Sequence, residues 1–343
     1  MNSLFDLSYP EAEGLVADWG EPSYRADQLW NGLYEHYYQR ADQLTVFPLE
    51  LRSRLAEEYH FHTMVQEREI LSEDGTTQKV LFRLEDDQAI ETVLMLYDDR
   101  RTLCISSQAG CAMGCDFCAT GQMGFRRHLT AGEIVEQVVF FARELSKKDD
   151  RLTNIVFMGM GEPFHNYQQV MEAVEILTHP EGLNFGARRI TISTVGVVPG
   201  IEKFTRENTQ VNLAVSLHAV DNRLRSRMMP INKKYPVEDL MNAVREYLEV
   251  TNRRVTFEWA LIAGVNDSQD QANKLADWLE DMLAHVNLIP LNPTQKYAGV
   301  PTEHDQARRF QDVLLSRGIP CTIRLRRGIE IQAGCGQLAS ESS

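Results

Sequence analysis

At 343 residues with 43% apolar content, the chain can hold one large domain with an appendage, or two domains, and disorder is excluded. No apolar run approaches the ~20 residues of a membrane span, and the N-terminus lacks the basic start and apolar centre of a secretory leader, so a cytoplasmic protein without a membrane partner is expected. The net charge of −14 disfavours a nucleic-acid surface only in part, because residues 1–100 carry 8 Lys/Arg against 21 Asp/Glu and residues 101–343 carry 27 against 28. The later part holds basic pairs, among them Arg126-Arg127, Arg188-Arg189, Lys233-Lys234, Arg253-Arg254 and Arg326-Arg327, which permit RNA contact if they share a face.

Residues 1 to about 60 read as helical. Residues 10–19 suit a short amphipathic helix, and the run 24–34 sets Leu29, Trp30, Leu33, Tyr34 and Tyr37 near one stripe. Pro48 opens a third helix through Leu51 and Leu55. Such rings can stack on bases, but packing of a small helical unit is their commoner use. A helical accessory domain is expected at residues 1–65.

From about Ile70 the period changes to two. Asp74-Gly75 is a turn signal, followed by strand-like runs at 79–84 and 90–96. Residues 66–100 therefore read as a small β extension. Glu91 lies in its second run between apolar residues; on local pattern alone it reads as an outward-facing strand glutamate, whereas burial near a site would raise its pKa as suits a proton acceptor.

Beyond residue 101, β-branched runs at 103–106, 154–158, 189–193, 212–216, 255–260 and 285–289 alternate with helical runs at 130–147, 168–178, 199–207, 237–251, 267–283 and 303–316. Thr130-Ala-Gly-Glu133 has capping-box spacing, and Asp267 or Ser268 can cap the fifth helix. Six βα units predict an α/β fold with a parallel sheet covered by helices. In such folds ligands bind beyond the carboxyl ends of the strands.

The distinctive residues fall at that edge. Cys111, Cys115 and Cys118, spaced x₃ then x₂, follow the first strand, and a fourth ligand is missing, since His128 is the nearest candidate. Three thiolates suit a cluster with one open metal better than a closed zinc site. Gly159-Met-Gly161-Glu162 follows the second strand and offers close backbone approach and a carboxylate. Ser193, then Ser216-Leu217-His218, then Asn292 end later strands. Near the C-terminus Cys335 sits between glycines, a setting for an accessible nucleophile.

The Cys111-x₃-Cys115-x₂-Cys118 spacing resembles the signature of radical S-adenosylmethionine (radical SAM) enzymes. The flanks, 103–108 and 119–125, resemble the RlmN/Cfr family of RNA adenosine methyltransferases, and the resemblance covers nearly the whole chain. It implies a partial (β/α)6 TIM-like barrel, a [4Fe-4S] cluster on Cys111, Cys115 and Cys118, and S-adenosyl-L-methionine held by Gly161, Glu162, Ser193, Ser216, Leu217, His218 and Asn292. It implies that Cys335 accepts a methyl group, which a 5′-deoxyadenosyl radical then activates for addition to adenine. It further implies that Cys104 resolves the adduct through a transient disulfide with Cys335, and that Glu91, which aligns with the family's proposed general base, takes the ring proton.

The implied substrates are the peptidyl-transferase-centre adenosine of 23S rRNA, before ribosome assembly, and the adenosine 3′ of the anticodon in some tRNAs. Reaction at C2 is favoured over C8, with a flavodoxin- or ferredoxin-type electron donor and a monomeric enzyme. Two readings compete: a zinc-binding RNA module without catalysis, and a radical SAM enzyme acting on a peptide or small molecule.

Overall fold

The computed structural model describes residues 2–324 and 326–339. Helices Tyr9–Asp18, Tyr24–Tyr34 and Leu49–Glu58 form the N-terminal part. The first begins where the Glu11 carboxylate accepts the Ser8 backbone N–H at 2.8 Å, satisfying a donor left free at the helix start. Trp30 and Tyr34 lie buried in the core, so the aromatic stripe is chiefly packing. Tyr37 stands beyond the second helix at φ 54° and does not continue its stripe.

These helices dock on the rest of the chain through Asp6, whose carboxylate accepts the Gly132 N–H at 2.6 Å. The Tyr9 ring stacks on His179 with centroids 4.5 Å apart. One continuous apolar core runs from Leu4 through the sheet to Leu338.

The main sheet has ten strands: β1 (Met64–Leu71), β2 (Thr77–Leu84), β3 (Ala89–Leu96), β4 (Arg101–Cys104), β5 (Asn154–Phe157), β6 (Ile190–Thr194), β7 (Asn212–Ser216), β8 (Val255–Leu261), β9 (Ala284–Pro290) and β10 (Cys321–Ile323). Their order in the sheet follows the chain. β1 to β4 pair antiparallel and β4 to β10 parallel. The β extension is thus hydrogen-bonded directly onto the first parallel strand, and it has three strands where the sequence suggested two clear ones. The six expected parallel strands are joined by a seventh, β10, too short and too exposed to show a period.

The covering helices are Ala131–Ser146, Tyr167–Thr178, Val198–Glu207, Val237–Thr251, Gln269–Leu279 and His304–Ser316. Thr130 Oγ1 accepts the Glu133 N–H and the Glu133 carboxylate accepts the Thr130 N–H, as the spacing required. Ser268, not Asp267, caps the fifth. Among the described residues the first and last parallel strands are joined by no ladder, so the α/β barrel stays open. No helix among the described residues is long and apolar enough to cross a membrane.

Candidate active site

The first parallel strand delivers Cys104 at its end, buried. A short hairpin, Gln108–Gly110 against Phe125–His128, then encloses the cysteine loop. Gly110 has φ 71°, and a Cβ there would lie 2.0 Å from the Gly124 carbonyl oxygen, so only glycine closes this hairpin. Within the loop the Cys111 N–H donates to Gly124 O at 3.0 Å and the Asp116 N–H to Met228 O at 3.0 Å. Burial pushes the Cys111 thiol up to about 12 and raises Cys115 and Cys118 as well, with the neighbouring thiols adding to Cys111 and Cys115. Each stays protonated unless a cation sits among them, and a soft metal supplies that charge.

Beside the loop lies a cavity of about 150 Å³, bordered by Cys115, Cys118, Gly161, Glu162, Ser193, Ser216, His218, Asn292 and Cys335. Gly161, at φ 106°, packs its α-carbon against Gln108, and Gln108 Oε1 accepts the Glu162 N–H at 2.8 Å. The Glu162 carboxylate accepts the N–H groups of Phe164 at 3.0 Å and Val195 at 2.8 Å. Burial pushes its pKa up to about 7.

The Ser193 and Ser216 hydroxyls stand 3.4 Å apart. His218 Nδ1 accepts the Ala260 N–H at 2.8 Å, which leaves Nε2 as the protonated nitrogen. Burial, and then Arg225, push His218 down to about 3, so the ring is neutral. Asn292 Oδ1 is buried and has no partner among the described residues, so it is an acceptor free to take a ligand donor. Leu217 differs from the other expected contacts: its side chain lies in the core, and only its backbone faces the strand ends.

A second cavity of about 250 Å³ is bordered by Cys104, Thr102, Asn154, Tyr97 and the arginines 100, 324, 326 and 327. Cys335, Glu258, Asn292, Met158, Ile289 and Leu338 border both cavities. Cys335 is accessible, yet protein atoms around it raise its pKa, with burial first and the Glu258 carboxylate second. Cys104 is also raised, by burial and then by Cys335, so the two thiols lie within electrostatic reach of each other.

The C-terminal run returns across the barrel and is tied down on both sides. Asn292 Nδ2 donates to Cys335 O at 3.0 Å, the Ala119 N–H to Gly336 O at 2.7 Å, and Thr120 Oγ1 to Leu338 O at 2.6 Å. Glu91 lies apart from both cavities. One carboxylate oxygen pairs with Lys79 at 2.8 Å and the other accepts the Ala339 N–H at 2.9 Å. Burial raises the Glu91 pKa against the opposing pull of Lys79.

Three members of the basic pairs are already engaged by neighbouring side chains. Arg127 is taken by Asp86 and Glu133, and Arg188 and Arg253 both donate to Gln210. Two buried groups at the site escaped the sequence reading. Glu258 is a carboxylate inside an apolar strand, a signal that was there to find. Arg225 is one of three arginines in 223–227 that the sequence does not distinguish.

Residues 105–276 match the family model described as the radical SAM superfamily, and residues 2–60 match the ribosomal RNA large subunit methyltransferase N-terminal domain. A probable dual-specificity RNA methyltransferase RlmN of Chloroflexus aurantiacus is 49% identical, covering 99% of this chain and 93% of that protein. This chain belongs to the RlmN family of radical SAM RNA methyltransferases. A dual-specificity RNA methyltransferase RlmN 1 of Myxococcus xanthus is 48% identical over 98% of this chain and 94% of its own. The crystal structure of a radical SAM methyltransferase from Sphaerobacter thermophilus superposes with a TM-score of 0.97, at 50% identity, covering 99% of this chain and all of that one. Like other members of the RlmN family, the enzyme uses a [4Fe-4S] cluster and S-adenosylmethionine. Among the described residues no three His, Cys, Asp or Glu side chains stand close enough, as placed, to hold a metal, but three soft sulfurs on one loop are the donor chemistry that suits the cluster.

Proposed function

We propose that the enzyme methylates C2 of adenosine in 23S rRNA, at the peptidyl-transferase centre and before ribosome assembly, and C2 of the adenosine 3′ of the anticodon in some tRNAs. The observation that carries this reading is Cys335, accessible at the junction of two cavities, one beside the cysteine loop and one reaching Cys104. When bound, the cluster on Cys111, Cys115 and Cys118 supplies the electron that cleaves S-adenosylmethionine homolytically, and a second S-adenosylmethionine supplies the methyl carbon.

Cys335 takes that methyl on sulfur and presents it between the cavities. Glu162 binds the methionine ammonium, Ser193 and Ser216 offer hydroxyls, and Asn292 Oδ1 takes a donor from the same molecule. After the carbon joins the ring, Cys104 attacks the Cys335 sulfur, releasing methylated RNA and leaving a disulfide. Glu91 borders neither cavity, so it can accept the ring proton only after the tail carrying Ala339 moves aside and opens a path to it.

The four arginines around the second cavity attract the phosphates flanking the target nucleoside. Residues 1–65 form the accessory unit that holds RNA, residues 66–100 extend the sheet, and residues 101–343 carry the chemistry. Electrons come from a flavodoxin- or ferredoxin-type donor to a monomeric enzyme in the cytoplasm.

The relatives carry the RlmN name, which favours C2 over C8. Incubation with protein-free 23S rRNA and with tRNA, followed by nucleoside mass spectrometry, tests it. 2-Methyladenosine is expected; 8-methyladenosine alone overturns the regiochemistry.

A further inference from the structure

Arg225 is a buried cation that none of the roles above employs. It sits in the short helix Asn222–Met228, its side chain wholly enclosed. Nε donates to Leu217 O at 3.0 Å and Nη1 to Asn232 Oδ1 at 3.0 Å. Nη2 donates to Val195 O at 2.6 Å and Ser216 O at 3.3 Å. Every one of these acceptors is neutral, and among the described residues no carboxylate forms an ion pair with it.

A guanidinium taken from water without a counter-ion is costly. Such a group persists where the fold gives it an anion in the working state. Glu162 is not that anion here: its carboxylate accepts the Val195 N–H while Arg225 takes the Val195 carbonyl, so one residue's backbone stands between them.

The neighbour on the other side is the cysteine loop. Cys115 packs in one apolar cluster with Leu224, which precedes Arg225, and with Met228 and Met229, one turn beyond it, and the loop is hydrogen-bonded to the end of the same helix through Asp116 N and Met228 O at 3.0 Å. A cluster held by three thiolates there is anionic and gains a further negative charge on reduction. A fixed positive charge in a low-dielectric wall stabilises the more negative state.

We infer that Arg225 is the buried counter-charge that eases reduction of the cluster, while its fork ties the ends of β6 and β7 to the helix that carries the loop. It is a positioning residue, in contact with neither substrate nor reacting atoms. The inference rests on the cluster being held by Cys111, Cys115 and Cys118.

The test uses anaerobically reconstituted full-length protein without S-adenosylmethionine or RNA. Iron and sulfide content, thermal midpoint and the cluster's reduction potential are measured for the wild type, Arg225→Gln, Arg225→Lys and Asn232→Asp. Arg225→Gln should shift the potential to more negative values. Arg225→Lys should stay near wild type in potential while losing stability, because charge is kept and the fork is lost. Asn232→Asp keeps the arginine but gives it a carboxylate, and should shift the potential in the same direction as Arg225→Gln.

If Arg225→Gln does not fold, Asn232→Asp decides. A full iron complement with unchanged potential in either variant overturns the inference, as does Arg225→Lys shifting as far as Arg225→Gln. Folded variants that hold no cluster overturn it too, since the arginine then serves assembly. A wild-type protein that forms no iron–sulfur cluster refutes instead the assignment of the three cysteines.

Discussion

The side-chain amide of Asn292, at the end of β9, donates to the backbone carbonyl of Cys335 at 3.0 Å. One residue thereby fixes the Cys335 loop while its other amide atom, Oδ1, has no partner among the described residues. Asn292→Ala removes both. Loss of one net hydrogen bond costs about 1 kcal/mol, so we expect S-adenosylmethionine to bind about fivefold more weakly. Calorimetric titration checks the affinity, and unchanged binding would remove Asn292 from the cofactor site.

Glu162 sets a pH dependence. Its folded pKa, about 7, lies above the ordinary carboxyl value of ~4.3. Between those values the folded state holds a proton that the unfolded state has released, so the contribution to stability falls as pH rises toward 7 and is flat above it. The ammonium of S-adenosylmethionine needs the ionised form, so its affinity rises with pH through the same window. Glu162→Gln flattens both curves. Binding by the wild type that ignores pH between about 5.5 and 8 contradicts this assignment.

Lys79 and Glu91 form a buried ion pair at 2.8 Å, and Glu91 also holds the Ala339 N–H. Lys79→Met leaves a buried carboxylate unpaired and should cost about 3–5 kcal/mol. The double variant Lys79→Met/Glu91→Gln should recover part of that. Chemical denaturation measures the energies, and hydrogen exchange in the segment 330–339 reports loosening of the tail. A double variant less stable than Lys79→Met means that the pair is not the source of the loss.

Gly161→Ala should abolish tight cofactor binding. A Cβ at φ 106° would lie 2.7–2.8 Å from Gln108, including its backbone nitrogen, and the left-handed conformation adds about 1–3 kcal/mol of strain. Moving Gln108 also removes the acceptor of the Glu162 N–H. Thermal melting and cofactor titration should both report the change, and near-wild-type values in both refute the close approach.

Much of this site was legible because its parts are local. The three cysteines, the turn before Glu162 and the capping box at Thr130 each lie within a few residues, and the six longer parallel strands announce themselves as β-branched runs. The seventh strand, Cys321–Ile323, has three partly exposed residues and no period to read. Glu91 could be picked out in the sequence, while its partners Lys79 on β2 and Ala339 at the chain end could not, since tertiary pairing alone sets those contacts. The nearness of Cys104 and Cys335 has the same origin: one ends the first parallel strand and the other rides a return loop after the last. Arg225 was invisible because nothing local separates it from Arg223 and Arg227, whereas in the fold it alone of the three is buried.

The most direct test follows the methyl carbon. Protein reconstituted anaerobically is given isotope-labelled S-adenosylmethionine and 23S rRNA, and peptides and nucleosides are analysed by mass spectrometry for the wild type, Cys335→Ala and Cys104→Ala. Label on the Cys335 sulfur and then at C2 of adenosine is predicted for the wild type, with a trapped Cys335–RNA adduct in Cys104→Ala and no labelled RNA from Cys335→Ala. Labelled RNA from Cys335→Ala at the wild-type rate would contradict the account.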